Sequence, residues 1–289
     1  MASPSFFTEA DGHFDPTRYA LSMWAPRALN GPAVCALSAR AAERAADAEG
    51  FRPARFTIDL FRAAMQDPTT TTATLLRDGG RVRVVEVDVH QYPNGLDAEP
   101  VRVARSTTVF LRGSSNPPGE RWTRPAGNFT PPALPADDYY PRFAADAWTD
   151  AEGTSMPAVE WTREIGALQG AGRKRQWTYP LPVVPDEPAS PFVGAVTAGE
   201  SSSLLGNWGT TGIGLINCDL TVALTRLPHS ARVGVVSDFH VEEDGVSVSQ
   251  SILYDADGPI GTGMVTAVNN AKAEIDFTAV DPEERFRQA

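Results

Sequence analysis

Residues 31–50 read GPAVCALSARAAERAADAEG, and residues 51–61 that follow them read FRPARFTIDLF. The first stretch carries small apolar residues at helical spacing and ends at Gly50, a residue type that commonly follows the last turn of a helix. The second stretch alternates apolar and polar residues, as a strand with one covered face does. Because an Ala-rich helix can lie close to a sheet, the two stretches predict a helix packed on its own antiparallel sheet.

The same order of elements occurs twice along the chain. Arg62 and Arg226 are 164 positions apart, and the turn residues Gly80 and Gly245 are 165 positions apart. In each copy the sequence predicts one helix, one long strand and then further strands. The predicted elements are 31–50, 51–65, 69–77, 81–90 and 101–112 in the first copy, and 191–205, 214–226, 233–243, 246–255 and 260–268 in the second. This duplicated unit predicts an α+β fold.

The segment between the two copies is rich in Pro and Gly and has little apolar periodicity. Such a composition is typical of a linker that crosses the surface. We therefore expect an N-terminal unit over residues 1–112, a linker over 113–155 and a C-terminal unit over 156–289. The second helix is expected to fray in the serine run Ser201, Ser202 and Ser203.

The bulk composition excludes several classes of partner. A net charge of −11 over 289 residues argues against nucleic-acid binding, which relies on Lys and Arg. No apolar run is long enough to span a bilayer, and the first 15 residues do not resemble a secretory signal, so a cytoplasmic location is expected. Cys35 and Cys218 lie in apolar contexts without metal-ligand spacing. Buried reduced thiols are expected there, with a disulfide or a metal site as the alternative.

Asp219 lies in a predicted strand, NCDLTVALTR over residues 217–226, whose even-numbered positions are apolar. The alternation places Asp219 on the polar face of the strand. A carboxylate near a helix end can act as a general base on water when a neighbour orients that water. The alternative, which the pattern alone favours, is an exposed strand Asp without a catalytic role.

Two further side chains could assist such a base. His240 shares a strand face with Asp238, and a histidine is suited to proton transfer near neutral pH. The alternative for His240 is a surface or hydrogen-bonded structural residue. Thr266, in the last predicted strand, could hold a water molecule or serve only as a cross-strand threonine.

Asn30 and Gly31 precede and open the first helix. Free N–H groups at a helix N-terminus can polarise a carbonyl oxygen, and Gly31 would let a substrate approach closely. The alternative is that Asn30 only caps the helix. The sequence contains no GxSxG elbow, Walker A motif, HExxH motif or dinucleotide fingerprint. We therefore expect neither a cofactor nor a metal.

Four further stretches are EW at 160–161, PDEPASP at 185–191, NCDLTV at 217–222 and LYDADGPIG at 253–261. These stretches resemble the TesB-like group of acyl-CoA thioesterases, which have a double hotdog fold. The resemblance follows the order and spacing of these motifs over nearly the whole chain and is looser in the N-terminal half, where residues 30–32 and 54–60 carry it.

The resemblance implies two hotdog units in one chain, each with a long helix wrapped by an antiparallel sheet. It also implies hydrolysis of an acyl-CoA thioester in lipid metabolism, with acyl-CoA as the partner. The oligomeric state is open, with a homo-oligomer as one candidate because a duplicated hotdog that buries its sheet edges often pairs again. In that family a strand Asp, a Thr or Ser and a Gln hold the attacking water. Asp219 matches the Asp, whereas His240 stands near the hydroxyl position and Thr266 near the Gln. Asn30-Gly31 stands where relatives tend to have His-Gly-Gly.

Two hypotheses of different classes follow. In the first, the protein is a thioesterase in which Asp219 activates water, His240 and Thr266 orient it, and the backbone at Asn30 and Gly31 polarises the carbonyl. In the second, the protein is a degenerate hotdog protein that binds an acyl or polyketide-like ligand without hydrolysis, as the missing Gln suggests. Arg55 stands at the position of the first copy that corresponds to Asp219, so we expect one working half and one supporting half.

Overall fold

The structure is a computed structural model that describes residues 4–47, 49–124, 129–134, 138–270 and 273–279. The outer ends of the two predicted units, residues 1–3 and 280–289, lie outside the described residues. Residues 125–128 and 135–137 of the predicted linker lie outside them as well.

Each half contains one helix and a set of strands. The first half comprises β1 Phe7–Ala10, β2 His13–Pro16, α1 Gly31–Ala46, β3 Phe51–Leu60, β4 Thr69–Asp78, β5 Val82–Gln91 and β6 Val101–Arg112. The second half comprises β7 Arg142–Ala145, β8 Trp148–Thr149, β9 Ser155–Met156, β10 Val159–Thr162, β11 Lys174–Thr178, α2 Pro191–Asn207, β12 Leu215–Asn217, β13 Asp219–Leu224, β14 Val233–Glu243, β15 Val246–Asp255 and β16 Gly258–Asn269. Short 3₁₀ helices lie at Arg18–Ala20 and Ile165–Leu168.

Fourteen strands form one antiparallel sheet, in the order β1-β2-β4-β5-β6-β3-β13-β16-β15-β14-β11-β7-β10, with β12 paired to β16. The strands β8 and β9 form a separate hairpin. Helix α1 packs on β4, β5 and β6, and helix α2 packs on β11 and on β13 to β16. The predicted α+β class is confirmed.

The two halves join through the pairing of β3 with β13. Thr57 lies opposite Thr221 in this antiparallel pair, and Ile58 lies opposite Leu220. Thr57 and Thr221 are 164 positions apart, the same spacing as Arg62 and Arg226. The spacing of the sequence repeat therefore marks the midpoint of the junction, and an approximate twofold relation passes through this pair of threonines.

The two helices pack against each other in the middle of the molecule. The ring of Phe192 at the start of α2 contacts Phe56 of β3, with 6.2 Å between ring centroids, and Phe110 of β6, with 6.4 Å. The predicted fraying of α2 at its serine run is wrong, because the helix continues to Asn207 and the three serines are buried. Packing of α2 against the sheet and against α1 stabilises the helix at its serine run, where the local sequence disfavours a helix.

Strand β7 lies inside the segment that the sequence predicted as a linker. It pairs with β11 on one side and with β10 on the other, and Phe143, Ala144 and Ala145 are buried. A run of four residues is too short to give a clear alternation, so the sequence contained no usable signal for it. Residues 113–124, by contrast, contain neither a helix nor a strand.

Candidate active site

A cavity of about 780 Å³ lies where the first turn of α1 meets the middle of α2, and residues of both halves line it. Most of its lining is apolar or aromatic. Polar groups line it at a few places, including Asn30, Gly31, Glu200 and Asn217. A mainly apolar cavity with a small number of convergent polar groups is the usual form of a small-molecule site.

Glu200 is a buried carboxyl in the lining of this cavity, and its pKa is shifted. It is the only charged residue in the sequence of α2, and 8% of its surface is exposed. Burial raises the pKa of Glu200 to about 8, while a hydrogen bond from Asn217 acts in the opposite direction. In that bond Asn217 Nδ2 donates to Glu200 Oε1 over 3.2 Å. A carboxyl with a pKa near the working pH is suited to proton transfer.

Gly31, the first residue of α1, lies directly against the Glu200 carboxyl. A Cβ atom at position 31 would overlap Glu200 Oε1, so only glycine permits this approach. The Gly31 N–H has no intrahelical acceptor because it belongs to the first turn. The next residue, Pro32, has no N–H at all. A carbonyl oxygen placed beside Glu200 would therefore meet the positive end of α1.

Asn30 caps helix α1, which was the alternative to a substrate-binding role for this residue. Its Oδ1 accepts a hydrogen bond from the Ala33 N–H over 2.9 Å. Its Nδ2 donates to the carbonyl oxygens of Tyr19, over 2.9 Å, and Leu21, over 3.2 Å. Asn30 and Gly31 both line the cavity, and their predicted role in substrate binding stays a prediction.

Asp219 and Thr266 lie together, as the sequence hypothesis required, next to Cys218, which lines the cavity and contacts Thr266. The Thr266 N–H donates to Asp219 Oδ1 over 2.7 Å, and the Thr266 hydroxyl donates to Asp219 Oδ2. Neither residue is among the described residues that line the cavity. Both oxygens of the carboxylate are therefore engaged by Thr266, on the sheet face away from α2.

This pair of residues stabilises a β-bulge. Asn217 pairs with Ala267 and Thr221 pairs with Met264, so four steps on one strand match three on the other. At the bulge Asn217 Nδ2 donates to the Asp219 carbonyl oxygen over 3.2 Å as well as to Glu200. The interruption also exposes Cys218, which the sequence predicted to be buried; Cys35 is buried, and both thiols are free.

The structure does not bring His240 to Asp219 and Thr266. His240 lies on β14, and β15 and β16 separate that strand from β13. Its Nδ1 is 2.8 Å from Ser249 Oγ, and its Nε2 is 3.5 Å from Glu242 Oε2. His240 therefore lies at a hydrogen-bonded position on the surface, which was the alternative to a role in proton transfer. The expected convergence of the three residues on one pocket is thus not what the structure shows.

The sequence did not predict that Glu200 and Asn217 line the cavity. One signal for Glu200 was present, because a single carboxylate interrupts a 17-residue helix that is otherwise uncharged. Mainly apolar and small residues are typical of a buried helix, and charges in buried helices are rare outside functional or paired positions. Asn217 gave no comparable signal, because its contact with Glu200 depends on the bulge.

The comparisons with known proteins agree with the fold. Residues 21–111 match the family model described as the acyl-CoA thioesterase N-terminal domain. No curated protein matches the sequence. No helix among the described residues has the length and apolar character needed to cross a membrane.

Solved structures match over nearly the whole chain at low identity. An acyl-CoA thioesterase II from Mycobacterium marinum is 12% identical with a TM-score of 0.60, over 95% of this chain and 96% of that one. A tesB protein from Mycobacterium avium subs paratuberculosis is 14% identical with a TM-score of 0.59, over 90% and 95%. A protein from Alicyclobacillus acidocaldarius described as having a hot dog fold is 13% identical with a TM-score of 0.60, over 90% and 94%. These structures show that the chain has a hotdog fold. Together with the family model they confirm the predicted resemblance to TesB-like acyl-CoA thioesterases.

Proposed function

We propose that this protein hydrolyses an acyl-CoA thioester to the free acid and CoA, and that Glu200 rather than Asp219 is the base that activates water. The observation that supports this proposal is the contact between the buried Glu200 carboxyl and Gly31 at the start of α1. The contact places the Glu200 carboxyl, a proton acceptor, next to the N-terminus of α1, which can stabilise negative charge. The family model matched by residues 21–111 supports the same reaction class.

The arrangement can perform the reaction without a covalent acyl-enzyme. The ionised Glu200 carboxylate takes a proton from a water molecule, and the water oxygen attacks the thioester carbonyl carbon. The carbonyl oxygen becomes negatively charged and is stabilised by the Gly31 N–H and the positive end of α1. The C–S bond then breaks, the carbonyl re-forms, and the Glu200 carboxyl returns its proton to the departing CoA sulfur.

Asn217 and Asp219 support this base. Asn217 donates a hydrogen bond to Glu200 and another to the Asp219 carbonyl oxygen, so it ties the carboxyl to the bulge. Asp219 in turn stabilises the bulge through Thr266. In this proposal Asp219 is a positioning residue, and His240 has no part in the reaction.

The cavity also accounts for the two ends of the substrate. Its aromatic and aliphatic lining would bind the acyl group, whose burial is favourable by roughly 25 cal/mol for each Å² removed from water. Arg62 lines the cavity and is exposed, which suits a contact with the phosphates of CoA in a chain of net charge −11. Lipid metabolism and the cytoplasm are the setting that we propose for this reaction.

We further propose that the chain is a tandem of two hotdog units. The repeated helix-and-sheet order and the midpoint at Thr57 and Thr221 support this division. The first unit keeps the predicted limits of 1–112, and the second begins at β7, within the segment predicted as a linker. Exposed apolar side chains on the outer sheet face, Phe239, Val241 and Met264, support a homo-oligomer as its assembly.

One observation favours the alternative function, an acyl-binding protein that does not hydrolyse its ligand. With a pKa of about 8, most Glu200 carboxyls keep their proton at neutral pH. A protonated carboxyl donates a hydrogen bond to a bound carbonyl oxygen and takes no proton from water. Such a cavity would then hold an acyl or polyketide-like thioester without cleaving it.

Thiol release from a panel of acyl-CoA thioesters tests the proposal directly. The Glu200→Gln variant keeps the shape of the side chain and its contact with Asn217, and we expect it to lose about 100-fold or more in kcat. Glu43→Gln is the matched control, since Glu43 is a half-buried carboxyl on a helix, also with a pKa raised by burial, but lies outside the cavity and accepts from Ser190. Its activity should equal that of the unmodified protein.

Each other result has a definite meaning. Unchanged thiol release by Glu200→Gln would exclude Glu200 as the base. Saturable acyl-CoA binding by the unmodified protein, without thiol release from any member of the panel up to about pH 9, would favour the binding function.

A further inference from the structure

A buried amide whose oxygen has no hydrogen-bond partner among the described residues lies on the wall of the cavity. Gln176, in β11, lines the cavity, and 6% of its surface is exposed. Its Oε1 accepts no hydrogen bond from the described part of the chain. A buried polar group left unpaired costs about 1–3 kcal/mol, so a protein rarely retains one without a use for it.

A second unpartnered group belongs to the same wall. Trp208 follows the last residue of α2, lines the cavity and is 3% exposed. Its Nε1 donates no hydrogen bond to any residue that the structure describes. Phe143 connects the two positions, because it pairs with Gln176 across β7 and β11 and its ring centroid is 6.2 Å from that of Trp208.

The two groups have complementary requirements. Gln176 Oε1 needs a donor, and the indole N–H of Trp208 needs an acceptor. A hydroxyl group both donates and accepts, so its chemistry matches both requirements. The rest of this wall is apolar, with Phe143, Leu204 and Ile213 among its lining residues. The wall is therefore suited to an apolar chain or ring that carries one hydroxyl.

We propose that the acyl group held in this cavity carries a hydroxyl remote from the thioester, and that Gln176 and Trp208 bind that hydroxyl. This inference rests on the proposed function for the identity of the substrate as a thioester. Trp208 follows Glu200 by eight residues, which corresponds to about 12 Å along a helix. The hydroxyl would thus lie far from the reacting carbonyl and would select the substrate without taking part in the chemistry.

A site built to hydrogen-bond a hydroxyl discriminates strongly against an analogue that lacks it. The discrimination arises because the unsubstituted analogue leaves the buried polar groups unpaired, and it can reach about 10⁴-fold. With one hydroxyl and two partners, we expect a preference of at least about 10-fold in kcat/KM.

Matched acyl-CoA thioesters test this preference. Dodecanoyl-CoA is compared with the same thioester hydroxylated at the terminal carbon, at a mid-chain carbon or at the β-carbon. We expect a remote hydroxyl, terminal or mid-chain, to raise kcat/KM by about 10-fold or more, and the β-hydroxyl to have little effect. The Gln176→Leu and Trp208→Phe variants should each reduce that preference towards unity. Gln250→Leu is the control, because Gln250 does not line the cavity and its amide donates to Thr262.

Failure of this inference can be told from failure of the proposed function. If all the thioesters are hydrolysed at equal rates and Gln176→Leu changes nothing, the hydroxyl proposal is overturned and hydrolysis stands. If no thioester is hydrolysed, the same set is titrated against the Glu200→Gln variant by calorimetry. Tighter binding of a remotely hydroxylated thioester, lost in the Gln176→Leu double variant, would then support the hydroxyl site, and equal binding would overturn it.

Discussion

Glu200 and Arg40 occupy the same place in the two helices, each as the tenth residue, of α2 and of α1 respectively. Arg40 is buried and donates to both carboxylate oxygens of Glu187 over 2.8 Å and to Glu9 over 2.9 Å. Only a small cavity of about 90 Å³ remains there, next to the start of α2. Of these two corresponding helix positions, one holds a carboxyl beside a large cavity and the other holds an ion pair.

The activity should rise with pH. Glu200 acts as a base only when it is ionised, and its pKa is about 8. We expect kcat/KM to increase about tenfold per pH unit below that value and to level off above it. A pH profile of thiol release between about pH 6 and pH 9 measures this. A flat or falling profile would contradict the assignment of Glu200 as the base.

The stability should depend on pH in the opposite direction. Burial raises the pKa of Glu200 from 4.5 to about 8, so the unfolded chain loses its proton first and stability falls as the pH rises through this window. Below the unfolded pKa that contribution is fully present. The Glu200→Gln variant has no such titration, and we expect it to be more stable than the unmodified protein above pH 8 by about 2–4 kcal/mol. Urea unfolding at about pH 5 and pH 9 gives the comparison; equal losses in both proteins would exclude a buried Glu200.

Gly31→Ala should remove activity without unfolding the protein. The new Cβ would overlap Glu200 Oε1 and force the carboxyl away from the first turn of α1. A displacement of about 1 Å at a catalytic group can cost about 100-fold in rate, and we expect a loss of that order in kcat/KM. Gly113→Ala is the control, since a Cβ there meets open space. Normal turnover by Gly31→Ala would mean that this contact is not used in catalysis.

The fold could be predicted from the sequence because its signals are local. Alternation in residues 51–61, the Ala-rich helix and the acidic-Gly turns each depend on neighbours along the chain, and the 164-residue spacing recurs in the pairing of Thr57 with Thr221. Gly31 was found for the same reason, since a helix start is a local feature. The exceptions, strand β7 and the serine run of α2, take their conformation from distant contacts.

The proposed base could not be predicted in the same way. Glu200 gains its chemistry from the first turn of α1, which is about 170 residues earlier in the chain. Asp219 stood in a recognisable motif, and the motif correctly marked a strand, but the bulge next to it turns Asn217 towards the cavity and leaves Asp219 bonded to Thr266. The motif thus predicted a strand next to the cavity, but it did not predict which carboxyl faces the cavity.

Asp219→Asn separates the two candidate bases. The amide oxygen can still accept one hydrogen bond from Thr266, whereas the amide nitrogen cannot accept the other. If Asp219 only positions the bulge, kcat should fall less than about tenfold, against about 100-fold for Glu200→Gln in the same assay. Abolished turnover in Asp219→Asn together with retained turnover in Glu200→Gln would restore Asp219 as the base.

Arg40→Met should destabilise the protein and leave its activity unchanged. The substitution removes the bidentate partner of Glu187, but the Glu187 and Glu9 side chains are 42% and 40% exposed and can be hydrated. We therefore expect a loss of about 1–3 kcal/mol, below the range for a fully buried pair. Arg44→Met is the matched control; Arg44 is exposed and donates to the same Glu187 carboxylate, so its loss should cost under about 1 kcal/mol.

The pH dependence of that difference identifies the ion pair as its cause. The hydrogen bonds from Arg40 hold the pKa of Glu187 below its usual value, so the stabilisation is present above the unfolded pKa and disappears as the pH falls through the folded pKa. Urea unfolding of Arg40→Met and the unmodified protein should give converging stabilities as the pH is lowered below about 4. A difference that persists at low pH would instead indicate that the Arg40 guanidinium contributes through its contact with the Phe14 ring, whose centroid is 5.5 Å from the guanidinium carbon.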